Sequence, residues 1–309
     1  MSFGLDFACR GISDKAETPP PLGNRTLKGY LTTMNFWLND RAVIAVSGPA
    51  AREFLQGLIT NDARLIAPDA PLYAALLTPQ GKILFDFLIF ESDGTLLVDS
   101  AAVLRDALVA RLSFYRLRAT IEIAPRDDLA VAWTQENPLA AAPFIRDPRR
   151  PALGYRAIVP RDTGAIMQDQ GAYTALRLER GVPEGSDFGQ DKMFALDADL
   201  DELGGVAFDK GCYVGQEMTA RMKHRGTARK RFLAVATTDG SALPAPPTAI
   251  TANDREVGTI SSTYGANGFA LVRLDRLEEV GHFPLQASNV AIRVTRPDWL
   301  SLLTEEAKA

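Results

Sequence analysis

The stretch "LYAALLTPQGKILFDFLIFESDGTLLVD", Leu72–Asp99, decides the fold. Three apolar runs, Leu72–Leu77, Lys82–Phe90 and Thr95–Asp99, are separated by the turn signals Thr-Pro-Gln-Gly and Ser-Asp-Gly. Short turns of this kind join antiparallel strands. The middle run is apolar at odd and even positions alike, so both faces of its sheet must be covered. Upstream, "RAVIAV" (Arg41–Val46) reads as a strand. "SGPAAREFLQGL" follows as a helix, with Ser47 or Gly48 as cap, Pro49 in the first turn, and Ala51, Phe54, Leu55 and Leu58 on one face. Downstream, "AAVLRDALVARLSF" is an amphipathic helix and "ATIEI" (Ala119–Ile123) a strand. The order β-α-β-β-β-α-β points to an α+β sheet of the ferredoxin-like type with its helices on one side.

A second α/β unit is expected from strands near Leu129–Trp133 and Tyr155–Val159, with a helix over Ala172–Gly181 that Gly181 and Pro183 end. Beyond about Thr227 the character changes. "RFLAVATT", "TAITAND", "REVGTISSTYG", "GFALVRL" and "NVAIRVTRP" are short strand-like runs between Gly, Pro and Asn-Asp signals, which predicts a small all-β barrel. At the other end, "ETPPPLG" reads as a linker. The expected boundaries are an N-terminal extension over 1–33, poorly ordered, an α/β unit of two subdomains over 34–227, and a β-barrel over 228–309.

Composition narrows the function classes. With 46% hydrophobic and 23% charged residues in a 309-residue chain, an ordinary globular core is available. The net charge of −4 argues against a polyanion as main partner, so no nucleic acid is expected. No apolar run approaches the roughly 20 residues of a membrane span. Two cysteines, Cys9 and Cys212, exclude a disulfide framework. Two histidines and no CxxC or HExxH spacing leave no self-contained metal site, so no permanently bound metal is expected. The N-terminus has no secretory pattern and too many acids for a good transit peptide, which points to the cytoplasm, or to the mitochondrial matrix in a eukaryote.

Four features carry potential chemistry. Asp86 is the only polar residue between Ile83 and Phe90. It is either a half-buried carboxylate that receives a ligand donor or a proton, or a structural acid paired with an arginine. Glu179, in "LRLERG", opposes the dipole at a helix end, and spacing alone favours a solvent-exposed acid there. "DKGCYVGQEMTAR" (Asp209–Arg221) holds Cys212 between Gly211 and Gly215. Glycines permit a sharp turn that exposes the thiol, and Lys210 would favour the thiolate. Glu217 and Arg221 stand at i and i+4, a pair that would brace the loop if helical. Against this, free cysteines are among the most buried residues. Finally, Arg221, Lys223, Arg225, Arg229, Lys230 and Arg231 form a basic run, either a solvated face or a holder for an anionic tail.

"KGCYVGQE" with Ala220-Arg221 resembles the signature of the YgfZ-type branch of the glycine-cleavage T-protein (aminomethyltransferase) superfamily. The blocks "FLQGLITND", "LLTPQGKILFDFLI", "LRLERGVPE" and "EVGTISS" stand in the same order, so the resemblance covers about residues 34–300. It implies two α/β subdomains around a central folate pocket plus a C-terminal β-barrel. It also implies a ligand of the tetrahydrofolate type and a role in assembly or repair of iron–sulfur enzymes, mainly four-iron ones. Iron–sulfur assembly proteins or client enzymes would be the partners. The motif carries over as Lys210, Gly211, Cys212, Tyr213, Gly215, Gln216, Glu217 and Arg221, with Cys212 as working thiol and Lys210 its helper. Glu179 takes the place of a pterin-contacting glutamate, and Asp86 would line the folate pocket. Where aminomethyltransferases carry two adjacent aspartates this chain reads Phe85-Asp86. That departure weighs against the alternative, a folate-dependent aminomethyl or one-carbon transferase.

Overall fold

A computed structural model describes residues 36–136, 138, 143–163, 170–225 and 229–301. The expected extension over 1–33, and Cys9 with it, lies outside the described residues.

The first sheet contains β2 (Arg41–Ser47), β3 (Leu72–Leu77), β4 (Ile83–Ser92), β5 (Thr95–Ala101) and β6 (Glu122–Pro125), in the order β3-β4-β5-β2-β6. Every neighbouring pair is antiparallel. Helices α1 (Ala51–Gln56) and α2 (Arg105–Arg116) lie where the sequence order puts them. One face of the sheet, with Ile44, Val46, Phe87 and Val98, packs under Leu55 of α1 and Leu108 and Leu112 of α2. The opposite face, with Val43, Tyr73, Leu88 and Phe90, packs against a second sheet. Burial on both sides explains why β4 is apolar on both faces from Ile83 to Phe90, Asp86 apart.

The second sheet has the order β1-β7-β9-β8, from β1 (Phe36–Trp37), β7 (Leu129–Thr134), β8 (Ile145–Arg146) and β9 (Tyr155–Pro160). Strand β1 precedes the whole first sheet in the chain yet pairs with β7, Phe36 opposite Trp133. The second subdomain is therefore not a later, self-contained unit. The described chain starts in it with β1, builds the first sheet, and returns. Helix α3 (Gln170–Glu179) ends at Gly181, whose φ of 68° is the left-handed conformation expected of a helix-terminating glycine. The short α4 (Gly185–Phe188) follows. Helix α5 (Gln216–Arg225) leads towards the C-terminal unit.

That unit is a closed barrel in the order β10-β13-β12-β11-β14-β15. It comprises β10 (Lys230–Thr237), β11 (Thr248–Ala252), β12 (Arg255–Tyr264), β13 (Asn267–Arg273), β14 (Leu285–Ala287) and β15 (Val290–Thr295). Strand β10 pairs with both β13 and β15, which closes the ring and leaves no free edge. The five runs read from the sequence are five of these six strands. The sixth, β14, is three residues long, too short to show a period of two. Helix α6 (Leu274–Val280) links β13 to it.

Candidate functional site

The cysteine loop is held from three directions. The Lys210 ammonium donates to the carbonyls of Gln56, Ile59 and Asn61 at 2.8, 2.7 and 2.7 Å, the acceptors left open where α1 ends. Tyr213 packs against the core between the two sheets, and Val214 against the core under α1 and α2. The Tyr213 N–H donates to Gln216 Oε1 (3.1 Å) and the Gln216 N–H to the Tyr213 carbonyl (3.3 Å), which closes the entry to α5. Gly215, at φ 81°, lies against the hairpin turn after β3; a Cβ there would stand 2.4 Å from the Thr78 carbonyl oxygen. Gly81 in that turn lies against Met218 of α5, where a Cβ would stand 2.7 Å from the Met218 Cβ. Cys212 falls between the Lys210 and Tyr213 anchors and is exposed with a free thiol. Of the two outcomes the sequence left open, an exposed thiol or a buried one, the buried side chain is excluded.

The geometry bears on two expectations about the loop. Lys210 has three N–H donors, and all three are spent on carbonyls. It anchors the loop and has no donor left for a thiolate. Burial lowers its pKa to about 8, so at neutral pH it remains mostly the ammonium. Glu217 and Arg221 are both exposed and form no ion pair with each other among the described residues, so the brace is built by Lys210, Tyr213 and Gly215.

The centre between the sheets is occupied by side chains. Arg41 of β2 donates to Asp99 of β5 (2.6 Å), and Arg156 of β9 donates to the other oxygen of Asp99 (2.9 Å), so one carboxylate ties the two sheets together. Asp147 accepts from Arg149 (2.7 Å) and Arg156 (3.1 Å). Glu184 accepts from Arg149 (2.8 Å), Arg156 (3.2 Å) and the Tyr173 hydroxyl. Arg177 pairs with Asp187 at 2.5 Å, and Ser262 of the barrel donates to the second Asp187 oxygen at 2.6 Å. All of these charged groups are buried. Four guanidinium groups (Arg41, Arg149, Arg156, Arg177) balance four carboxylates (Asp99, Asp147, Glu184, Asp187), the condition for burying charge at tolerable cost. Burial alone would raise Glu184, but Arg149, Arg41, Arg156 and Arg177 together hold it well below the usual carboxylate range.

Asp86 belongs to the edge of this cluster. It is 4% exposed, faces inward from β4, and accepts a long 3.3 Å bond from the Tyr73 hydroxyl. Burial raises its pKa, with the Glu184 charge adding to it, and outweighs the opposing pull of Arg41 and Arg149. Gly185 presses on it so closely that a Cβ would stand 2.3 Å from Asp86 Oδ1. Phe85 points to the opposite, helix-covered face, so it never shares a space with Asp86. Glu179 is on the surface: its side chain is 66% exposed and lies 3.5 Å from Arg180. One folate candidate is sealed in and the other faces water. The buried acid of that sequence block is Glu184, five residues on. Its local signal is a capping box, in which the Asp187 carboxylate accepts from the Glu184 N–H.

The basic run is split by the barrel. Arg231 is buried and donates to Asp201 (2.9 Å) and to the Leu196 carbonyl. Lys223 sits over the Phe208 ring at 4.8 Å. Arg229 and Lys230 line an open cleft of about 350 Å³ with Arg273, Asp197, Phe194 and Met222.

Comparison with known proteins bears on this architecture. The mitochondrial iron–sulfur cluster assembly factor IBA57 of Homo sapiens is 34% identical over 304 residues, covering 85% of this chain and 84% of that protein. The mouse protein of the same name is 30% identical, covering 90% and 88%. This chain belongs to the IBA57 family of iron–sulfur cluster assembly factors. A homologue of that name from Pyricularia oryzae is 32% identical, covering 89% and 80%. The family model for the CAF17 C-terminal β-barrel domain matches residues 229–302. Among solved structures, the aminomethyltransferase T of the Bartonella henselae glycine cleavage system superposes with a TM-score of 0.69 over 86% of each chain at 16% identity, which shows a shared fold. In this IBA57-family chain the described residues bring together no group of three or more His, Cys, Asp or Glu that could hold a metal ion. The thiol of Cys212 can contribute a single sulfur.

Proposed function

We propose that this chain assists iron–sulfur cluster assembly through Cys212, which supplies one sulfur ligand to a cluster in transit while a partner assembly protein or client enzyme supplies the others. Clusters usually take four thiolates. A lone exposed thiol therefore suits a shared, transient site. The observation that carries the proposal is the bracing of the loop: Lys210 and Tyr213 are fixed on either side, and Cys212 is presented outward. Four-iron enzymes are the proposed clients. The Lys-Gly-Cys-Tyr block supports the finer placement in the YgfZ-type branch. The relatives' names place them in mitochondria, and the matrix is the proposed location if the source is eukaryotic. Tetrahydrofolate is the proposed ligand, with the buried Asp86 and the exposed Glu179 as candidate contacts, and a folate-dependent one-carbon transferase is the alternative reading.

The test is complementation. Cells lacking their own homologue receive wild type or Cys212→Ser, and aconitase activity is measured alongside the melting temperature of each purified protein. Rescue by wild type alone, with equal melting temperatures, is the expected result. Full rescue by Cys212→Ser would remove the thiol from the mechanism.

A further inference from the structure

Helix α2 covers the first sheet with Leu108 and Leu112 and turns a second apolar stripe to solvent. Val103, in the 3₁₀ turn before the helix, is 90% exposed, Phe114 71% and Leu117, just past its end, 87%. Ala107 and Ala110 are exposed between them. The sequence spacings are four, three, four and three residues, those of a heptad seam, and the 12-residue α2 within them is roughly 18 Å long at 1.5 Å per residue. Single exposed apolar residues are ordinary; Phe114 on the helix, flanked by Val103 before its start and Leu117 at its end with two exposed alanines between, makes a surface shaped for contact. The alanines form a notch between Val103 and the Phe114–Leu117 pair, where a helix axis can approach closely. Arg111, Arg116 and Arg118 are exposed at the C-terminal half and form no ion pair among the described residues. Arg105, at the other end, is already paired with Asp106 and Asp127.

We propose that this outer face of α2 docks an amphipathic helix of a partner protein whose apolar stripe is flanked by acidic residues. The charge pattern selects the occupant. A second copy would bring the same unpaired arginines and repel. A lipid surface would need no alanine notch. An acidic helix fills the notch and pairs the three arginines. The inference is independent of the role of Cys212. The two surfaces do share a layer, because α1, whose end holds Lys210, and α2 pack on the same face of the first sheet.

The full chain is titrated against two synthetic 21-residue peptides with leucine at heptad a and d positions, one flanked by glutamate and one by lysine, with anisotropy as readout. The glutamate peptide is expected to bind at least tenfold more tightly, to weaken with salt, and to lose binding to Ala110→Arg. In Arg111→Glu/Arg118→Glu the preference is expected to invert. These positions are exposed, and circular dichroism confirms folding of each variant. Absence of binding by either peptide, a preference that ignores the charge reversal, binding of phosphatidylglycerol vesicles that Phe114→Glu abolishes, or concentration-dependent self-association through α2 would each overturn the proposal.

Discussion

Replacing Lys210 by Met separates anchoring from thiol activation. The substitution keeps most of the stem and removes three N–H donors from the carbonyls of Gln56, Ile59 and Asn61, all within 2.8 Å. A hydrogen bond involving a charged group contributes about 1.5–3 kcal/mol net when buried. Lys210 is only part-buried, so water reaches some of the freed carbonyls, and the summed loss is about 2–4 kcal/mol. For a unit of this size each kcal/mol moves the midpoint by about 2–4 °C, so thermal unfolding is expected to shift down by roughly 5–15 °C. The second readout is alkylation of the Cys212 peptide by iodoacetamide across pH 6–10, followed by mass spectrometry. If Lys210 only anchors, the pH midpoint of alkylation stays within about half a unit of wild type while stability falls. An unchanged melting temperature together with a clear upward shift of that midpoint would refute the anchoring argument and restore Lys210 as helper of the thiolate.

Three further outcomes follow from the buried charges. Asp197, at the cleft, has its pKa raised to about 6 from 3.8 by burial, against the pull of Lys230 and Arg231. The folded state therefore binds more protons than the unfolded between those values, and stability from this group is lost as pH rises through about 6. Asp197→Asn is expected to stabilise by about 1–3 kcal/mol at pH 7.5 and to change nothing below pH 4, checked by urea unfolding at both. Glu184→Gln leaves Arg149 and Arg156 short of a counter-charge and is expected to cost about 3–5 kcal/mol at pH 7. Because Glu184 is depressed, its contribution is complete above pH 4.5 and fades as pH falls below that, so the deficit of the variant should shrink in acid. Tetrahydrofolate is expected to raise the melting temperature, and Asp86→Asn to abolish that rise; an unchanged melting temperature would remove folate from the proposal.

What the sequence determined by itself is local. The three runs from Leu72 to Asp99, the turns between them and the helices on either side follow from periods of two and 3.6 that need no distant partner. Asp86 was legible as an anomaly, because one acid in a doubly covered strand violates the pattern. The destination of each charge was decided only by the tertiary structure. Arg41, Asp99, Asp147, Arg156 and Glu184 look like ordinary surface residues one at a time; they become one balanced cluster when the two sheets face each other, and low dielectric there enforces the pairing. Strand β1 is two residues long and finds its sheet only through β7. The exposure of Cys212 is of the same kind. Its neighbours allowed a buried or an outward thiol, and the outcome was set by open carbonyls at the end of α1, up to 154 residues away in sequence, that capture Lys210 and leave the cysteine on the rim. Periodicity is written along the chain, whereas satisfaction of buried charges and helix-end carbonyls depends on groups that meet only after folding.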